Sequence, residues 1–188
     1  MKQFLQNISS IQTGIYCKPE TSGEIVYLQS KHFDEYGSLT SILYPDVKIT
    51  DQTKRHLLKH GDVLFSAKGN KNFATRYENK NGSCVASSTF LIIRIKDEYK
   101  EKILPEFLVW FLNHPDILKR IKNKAIGSSI PSISKSALSA LEVPVPSFNV
   151  QQAFVAISNL QITSRKLNER LILLKEKAIQ QKMIKIII

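Results

Sequence analysis

Between Val150 and the C-terminus, apolar residues recur in a heptad register. Val150, Ile157, Ser164, Leu171 and Ala178 fall at a; Ala153, Leu160, Leu167, Leu174 and Gln181 fall at d, with leucine at d three times running. Such spacing lines one side of an α-helix with apolar side chains. A helix from Val150 to about Lys182 is roughly 50 Å long at about 1.5 Å per residue, more than one small globular body can cover. Part of the stripe is therefore expected to meet another helix. A terminal helix packed only on its own domain is the alternative, and the heptad argues against it. Asn149 is placed as the N-cap, with Gln152 where a capping box needs it.

The residues before this helix must supply the globular body. In 188 residues there is room for one domain with a real core and an appended element, but not for two full enzyme domains. The first hundred read as short strands separated by polar turns, at Glu24 to Gln29, Val63 to Ala67 and the β-rich run Ser88 to Ile95. In DQTKRHLLKHGD, Asp51 is placed to cap a helical turn, and Gly61-Asp62 turns the chain into VLFSA. From Pro105 the pattern becomes helical: PEFLVWFLN is broken by His114-Pro115. A second helix then sets Ile117, Leu118, Ile121 and Ala125 against Lys119, Arg120, Lys122 and Lys124. Gly127 ends it, followed by a Ser- and Gly-rich loop, a turn capped by Ser134 and a proline-flanked strand suited to a sheet edge. The expected fold class is α+β: a mixed, β-rich domain over 1–148 and a long coiled-coil-like helix over 149–188.

The 27 Lys and Arg against 16 Asp and Glu give a net charge of +11, which favours a polyanionic partner, nucleic acid or an anionic membrane surface. No stretch approaches the roughly 20 apolar residues that cross a bilayer, and MKQFLQNISS lacks the apolar core of a signal peptide, so a cytoplasmic protein is expected. Cys17 and Cys84 stand too far apart for a zinc knuckle or redox pair and read as reduced, buried, small apolar residues.

Catalytic signatures are missing. A glycine-rich cofactor turn and an Asn/Asp-Pro-Pro-aromatic strand end, which amino-group methylation of a base requires, do not occur. Pro45-Asp46 with Glu98-Tyr99-Lys100 imitates a metal-dependent nuclease only loosely. His56 and His60 lack a third ligand at metal-binding spacing, and the serines at 128–134 have no histidine after them. GNKN is not a phosphate-binding loop, so no cofactor or metal is implied. Phe107, Trp110 and Phe111, set among Leu108, Val109 and Leu112, read as core and not as a base-stacking platform.

In order along the chain stand GDVLFSAKG at 61–69, SSTFLIIRI at 87–95, PEFLVWFLN at 105–113, GSSIPSIS at 127–134 and LEVPVPSFNVQQ at 141–152. This order resembles the specificity subunit of type I restriction-modification systems over nearly the whole chain. The resemblance implies a non-catalytic reader of double-stranded DNA. Such subunits hold two target-recognition domains, each with a long helix and each reading one half of a bipartite site. This chain has one of each and no internal repeat. It therefore looks like a half-length form that pairs with a second copy or another half through its helix. The helices also imply a ruler between half-sites and a platform for modification subunits, which carry the adenine methyltransferase; a further subunit carries nuclease and translocation. The apolar tail MIKIII departs from the pattern, standing where more helix, a linker or a second domain is expected.

Reading DNA needs cations on phosphates and polar side chains on base edges. The segment AKGNKNFATRYENKNGS reads as a displayed, mobile, basic loop with Phe73 and Tyr77 interleaved. Lys68, Lys71, Arg76 and Lys80 are its candidates for phosphate or guanine, and Asn70, Asn72 and Asn81 for adenine edges. A second patch holds Lys119, Lys122, Lys124, Ser128, Ser129 and Lys135. Val150, Ile157, Leu160, Leu167, Leu171 and Leu174 are the candidate pairing residues. Two other readings stand beside this one: an adaptor that assembles through its helix and binds nucleic acid nonspecifically, and a small metal-dependent nuclease.

Overall fold

The computed structural model describes residues 1–69, 71–123 and 132–187, with residues 81 and 187 by backbone alone. In chain order the elements are β1 (Lys2–Phe4), α1 (Leu5–Ile8), β2 (Ser9–Thr13), β3 (Val26–Leu28), α2 (Asp51–Arg55), β4 (Val63–Ser66) and β5 (Ala74–Arg76). There follow β6 (Cys84–Ala86), β7 (Phe90–Ile95), α3 (Pro105–Asn113), α4 (Pro115–Lys122), α5 (Lys135–Ser139), β8 (Glu142–Pro144) and α6 (Phe148–Ile187). The fold is α+β with a long C-terminal helix, as the sequence implied.

The central sheet is antiparallel in the order β2-β7-β4-β5. β7 lies inside it and is covered on both faces, which is why FLIIRI is apolar almost throughout. Side chains alternate across a strand. Leu91, Ile93 and Ile95 join Val63 and Phe65 in a core under α1, α3 and α5, while Phe90 and Ile92 join Leu64, Phe73 and Tyr77 on the other face, beneath the parallel pair β3-β6. Arg94 breaks the apolar run. It faces the second core and donates from Nε to Asp62 Oδ1 (2.7 Å) and from a terminal nitrogen to Oδ2 (2.6 Å), which also accepts the Lys59 N–H (2.8 Å). These bonds push the Arg94 pKa up. Asp62 is 1% exposed and follows Gly61, whose φ of +86° makes the turn into β4.

Two local expectations are corrected. Thr50, not Asp51, caps α2: its hydroxyl accepts the Thr53 N–H (3.2 Å) and the Thr53 hydroxyl accepts the Thr50 N–H (2.8 Å). Residues 68–81 are not one displayed loop, because 74–76 form strand β5 against β4. Phe73 and Tyr77 share a face of that strand and are buried, each carrying more apolar area than a solvated loop leaves in water. β5 is a sheet edge closed from outside by α3. The Asn113 side chain takes the Ala74 N–H (2.7 Å) and gives a bond to the Ala74 carbonyl (2.8 Å), as a neighbouring strand would.

The chain begins where α6 is rooted. β1 pairs with β8, Leu5 N–H reaches Leu141 O (2.8 Å), and Val145 N–H reaches Met1 O (2.8 Å). β8 contains Pro144, which the edge position tolerates. α6 starts at Phe148, with Ser147 O accepting the Gln151 N–H (3.1 Å), so Asn149 lies inside the first turn and is not its N-cap. The neighbouring Gln151, and not Gln152, secures this end. Its fully buried carboxamide accepts the Leu104 N–H (2.9 Å) and donates to the carbonyls of Lys102 (2.7 Å) and Pro146 (2.9 Å). Beside it Phe154 stacks on Trp110 (4.4 Å between centroids), which stacks in turn on Phe107 (5.6 Å). The aromatics thus serve packing, as read from the sequence. The helix runs 40 residues, about 60 Å at the usual rise, and the apolar tail continues it past Lys182.

Two predictions follow from the buried polar contacts. Removing one partner of the Arg94 pair strands a charge, so Asp62→Ala is expected to lower unfolding free energy in urea by about 3–5 kcal/mol, whereas Asp62→Leu with Arg94→Met recovers most of it. Gln151→Ala leaves one N–H and two carbonyls unpaired and is expected to cost about 1–3 kcal/mol. Gln151→Glu, which cannot donate to the carbonyls, is expected to cost at least as much in the same measurement.

Candidate nucleic-acid interface and helix seam

The two basic segments read from the sequence meet at one place. Lys68 forms an antiparallel bridge with Ser132, and the Ile133 N–H bonds to Ala67 O (2.8 Å), so the loop after β4 runs beside the segment that enters α5. Lys68 and Lys71 on one side, and Lys135 at the start of α5 on the other, are exposed. Ser134 orients that start by accepting the Ala137 N–H at its hydroxyl (3.1 Å). On α4, Lys119 and Lys122 face solvent while Ile121 is buried in the core. His114 divides α3 from α4, capping α4 through Nδ1, which accepts the Asp116 N–H (3.3 Å).

Other candidates have partners inside the domain. Asn72 is buried and donates to Ser66 O (2.9 Å), while the Ser66 hydroxyl donates to Lys71 O (3.0 Å); together they set the shape of the loop. Arg76 is clamped between Glu106 of α3 (2.6 Å) and Glu78, which joins β5 to α3. These bonds give both side chains a structural role within the domain. Lys80 is largely exposed but also paired with Glu78. Hydrogen bonds from Lys80 and Arg76 hold the Glu78 carboxyl below the usual range. Asn70, Lys124, Ser128 and Ser129 lie outside the described residues, as does the side chain of Asn81.

Among the described residues no group of three or more His, Cys, Asp or Glu is placed to hold a metal. Asp46 accepts the Tyr27 N–H (2.7 Å), a local structural bond, and Glu98 lies on a short turn after β7. Burial pushes the Cys84 thiol up to about 12, so it carries no thiolate at neutral pH. No helix among the described residues is long and apolar enough to cross a membrane.

α6 has two functionally different faces. Gln151, Val155, Ser158 and Ile162, at intervals of four, three and four, are buried or half-buried against the domain. At about 100° per residue these lie on the side of the helix roughly 170° from the a/d stripe. The stripe points away from the domain, and Val150, Ile157, Leu160, Leu167, Leu171 and Leu174 are 43–70% exposed. A second exposed apolar row, Ile172, Ile179, Met183 and Ile186, occupies the distal half, about 70° round the helix from Gln151.

The sequence reading missed one more group. A groove of about 300 Å³ lies between the turn at 34–38 and α6, lined by Asp34, Glu35, Tyr36, Lys71, Arg165 and Glu169 among others. The Arg165 guanidinium sits over the Tyr36 ring, 3.9 Å from its centroid. The available signal was register: Arg165 falls two heptads after Gln151, on the docked face.

No curated protein sequence matches the chain. Its fold is similar to that of the HsdS subunit from Thermoanaerobacter tengcongensis, at 18% identity and a TM-score of 0.58, over 88% of this chain and 37% of that one. The type I restriction-modification system S subunit from M. genitalium gives 15% and 0.56, over 90% and 40%. A chain from a structure described as the basis of complex assembly and conformational transition of the type I R-M system gives 16% and 0.60, over 89% and 39%. The chain spans about two fifths of the length of these structures. Its sequence matches the type I restriction modification DNA specificity domain across residues 14–186, from the end of β2 through nearly all of α6, and the chain belongs to that family.

Proposed function

We propose that the chain reads one half of a bipartite double-stranded DNA site and pairs through α6, so that two recognition domains are presented together. The observation that carries this reading is the a/d stripe, exposed on the side of the helix turned away from its own domain. A +11 chain repels its copy. That favours an antiparallel pair with the domains at opposite ends, reading inverted half-sites. The distal row Ile172, Ile179, Met183 and Ile186 stays exposed in such a pair and suits an apolar helix of a modification subunit, through which methyltransferase and restriction subunits are brought to the site. Lys68, Lys71, Lys119, Lys122 and Lys135 hold the DNA backbone, together with Lys124, Ser128 and Ser129 of the intervening segment.

Selection from randomised duplexes, with and without the modification subunits, tests the reading: an enriched pair of inverted motifs is expected. Equal affinity for unrelated duplexes with a steep salt dependence overturns it in favour of a nonspecific adaptor. Leu160→Glu with Leu167→Glu is expected to give a folded monomer in sedimentation that has lost the paired motif. Lys68→Ala and Lys71→Ala are each expected to reduce the slope of log affinity against log salt by about 1 while leaving stability unchanged. Arg76→Ala is expected to do the reverse, lowering the urea midpoint with little change in slope.

A further inference from the structure

A paired reader must hold its two domains at a fixed separation, and that separation depends on the angle at which each domain holds its helix. Gln151 and the Phe154–Trp110 stack fix the root of α6, and beyond them Val155, Ser158 and Ile162 are only half-buried. A helix held near one end can swing about it; a fastening further out sets its direction. Along the docked face, beyond Ile162, Arg165 lies over Tyr36.

The turn presenting Tyr36 is rigid. Asp34 Oδ1 accepts the N–H groups of Tyr36 (2.9 Å) and Ser38 (2.8 Å), and the Asp34 N–H bonds to Ser38 O (2.9 Å). Phe33 and Leu39 bridge across its base. Gly37 has a φ of +79°, and a Cβ there would stand 2.5 Å from Ala74 O, so the turn lies directly on β5. The ring under Arg165 is therefore fixed to the central sheet.

We propose that Tyr36 and Arg165 form the joint that sets the angle between recognition domain and helix, and thereby the number of base pairs a paired protein accepts between its half-sites. This rests on the pairing reading above. The geometry gives the joint leverage. Arg165 lies about 21 Å along the helix from Gln151 and Ile187 about 54 Å, so a displacement of about 1.3 Å at Arg165 moves the helix end by about 3.4 Å, one base-pair step. Both are positioning residues, since neither needs to touch DNA. Lys71 lines the same groove, which places the joint beside a DNA-contacting loop.

The test uses the full chain and duplexes carrying two inverted half-sites, the spacer varied one base pair at a time. Wild type and Tyr36→Phe, which keeps the ring face, are expected to prefer one spacer. Tyr36→Ala and Arg165→Ala are expected to select the same half-site bases but to lose the single-spacer preference. Arg165→Ala sits on the exposed helix and cannot unfold the domain, so it guards against a folding defect in Tyr36→Ala. If both alanine variants keep the wild-type spacer, or if the selected bases change, the joint is overturned while pairing stands. A wild type that selects no paired motif overturns the pairing reading and the joint with it.

Discussion

The carboxamide of Gln151 has three backbone partners from two segments: its oxygen takes the Leu104 N–H that precedes α3, and its nitrogen serves the carbonyls of Lys102 and Pro146. A fully buried amide is stable only when satisfied, and this arrangement of the two segments satisfies it. The root of α6 is thereby fixed to the start of α3, whose Trp110 and Phe107 then meet Phe154 one helical turn further on. Everything attributed to α6, from the direction of its stripe to its reach beyond the domain, presupposes this bond set.

With the helix so rooted, its rotation is no longer a choice. The residues at Gln151, Val155, Ser158 and Ile162 are committed inward, and the leucines of the heptad are left outside. An apolar stripe of this length does not stay in water at low cost. The domain thus covers one face of its helix and leaves the other exposed. The charge distribution is arranged with the same economy: Arg76 and Arg94 are used within the fold, tying β5 to α3 and β7 to the turn before β4, while exposed lysines gather where Lys68 runs beside Ser132.

Much of this was legible in the sequence where the signal was local. The apolar run at 90–95, the helix starts at Pro105 and Pro115, the Ser134 cap and the heptad each stand within a few residues of their own explanation. The exposed lysines were legible as well. What could not be read depended on distant partners. That Asn72 bonds to Ser66 and Arg76 to Glu106 has no signal in the residues beside them. β5 alternates over only a few residues amid charges, too briefly to be told from a loop. The heptad gave the stripe but not its orientation, which Gln151 decides through residues nearly fifty positions earlier, and nothing local links Tyr36 to Arg165.

The pairing of β1 with β8 has a consequence of its own. Because Met1 bonds to Val145 immediately before the helix, the first strand and the last strand before α6 share a single two-stranded seam. The seam and the Gln151 bonds to residues 102 and 104 meet at the same end of α6, so an exchange of the residues between the seam strands leaves the helix in place only where it keeps those bonds.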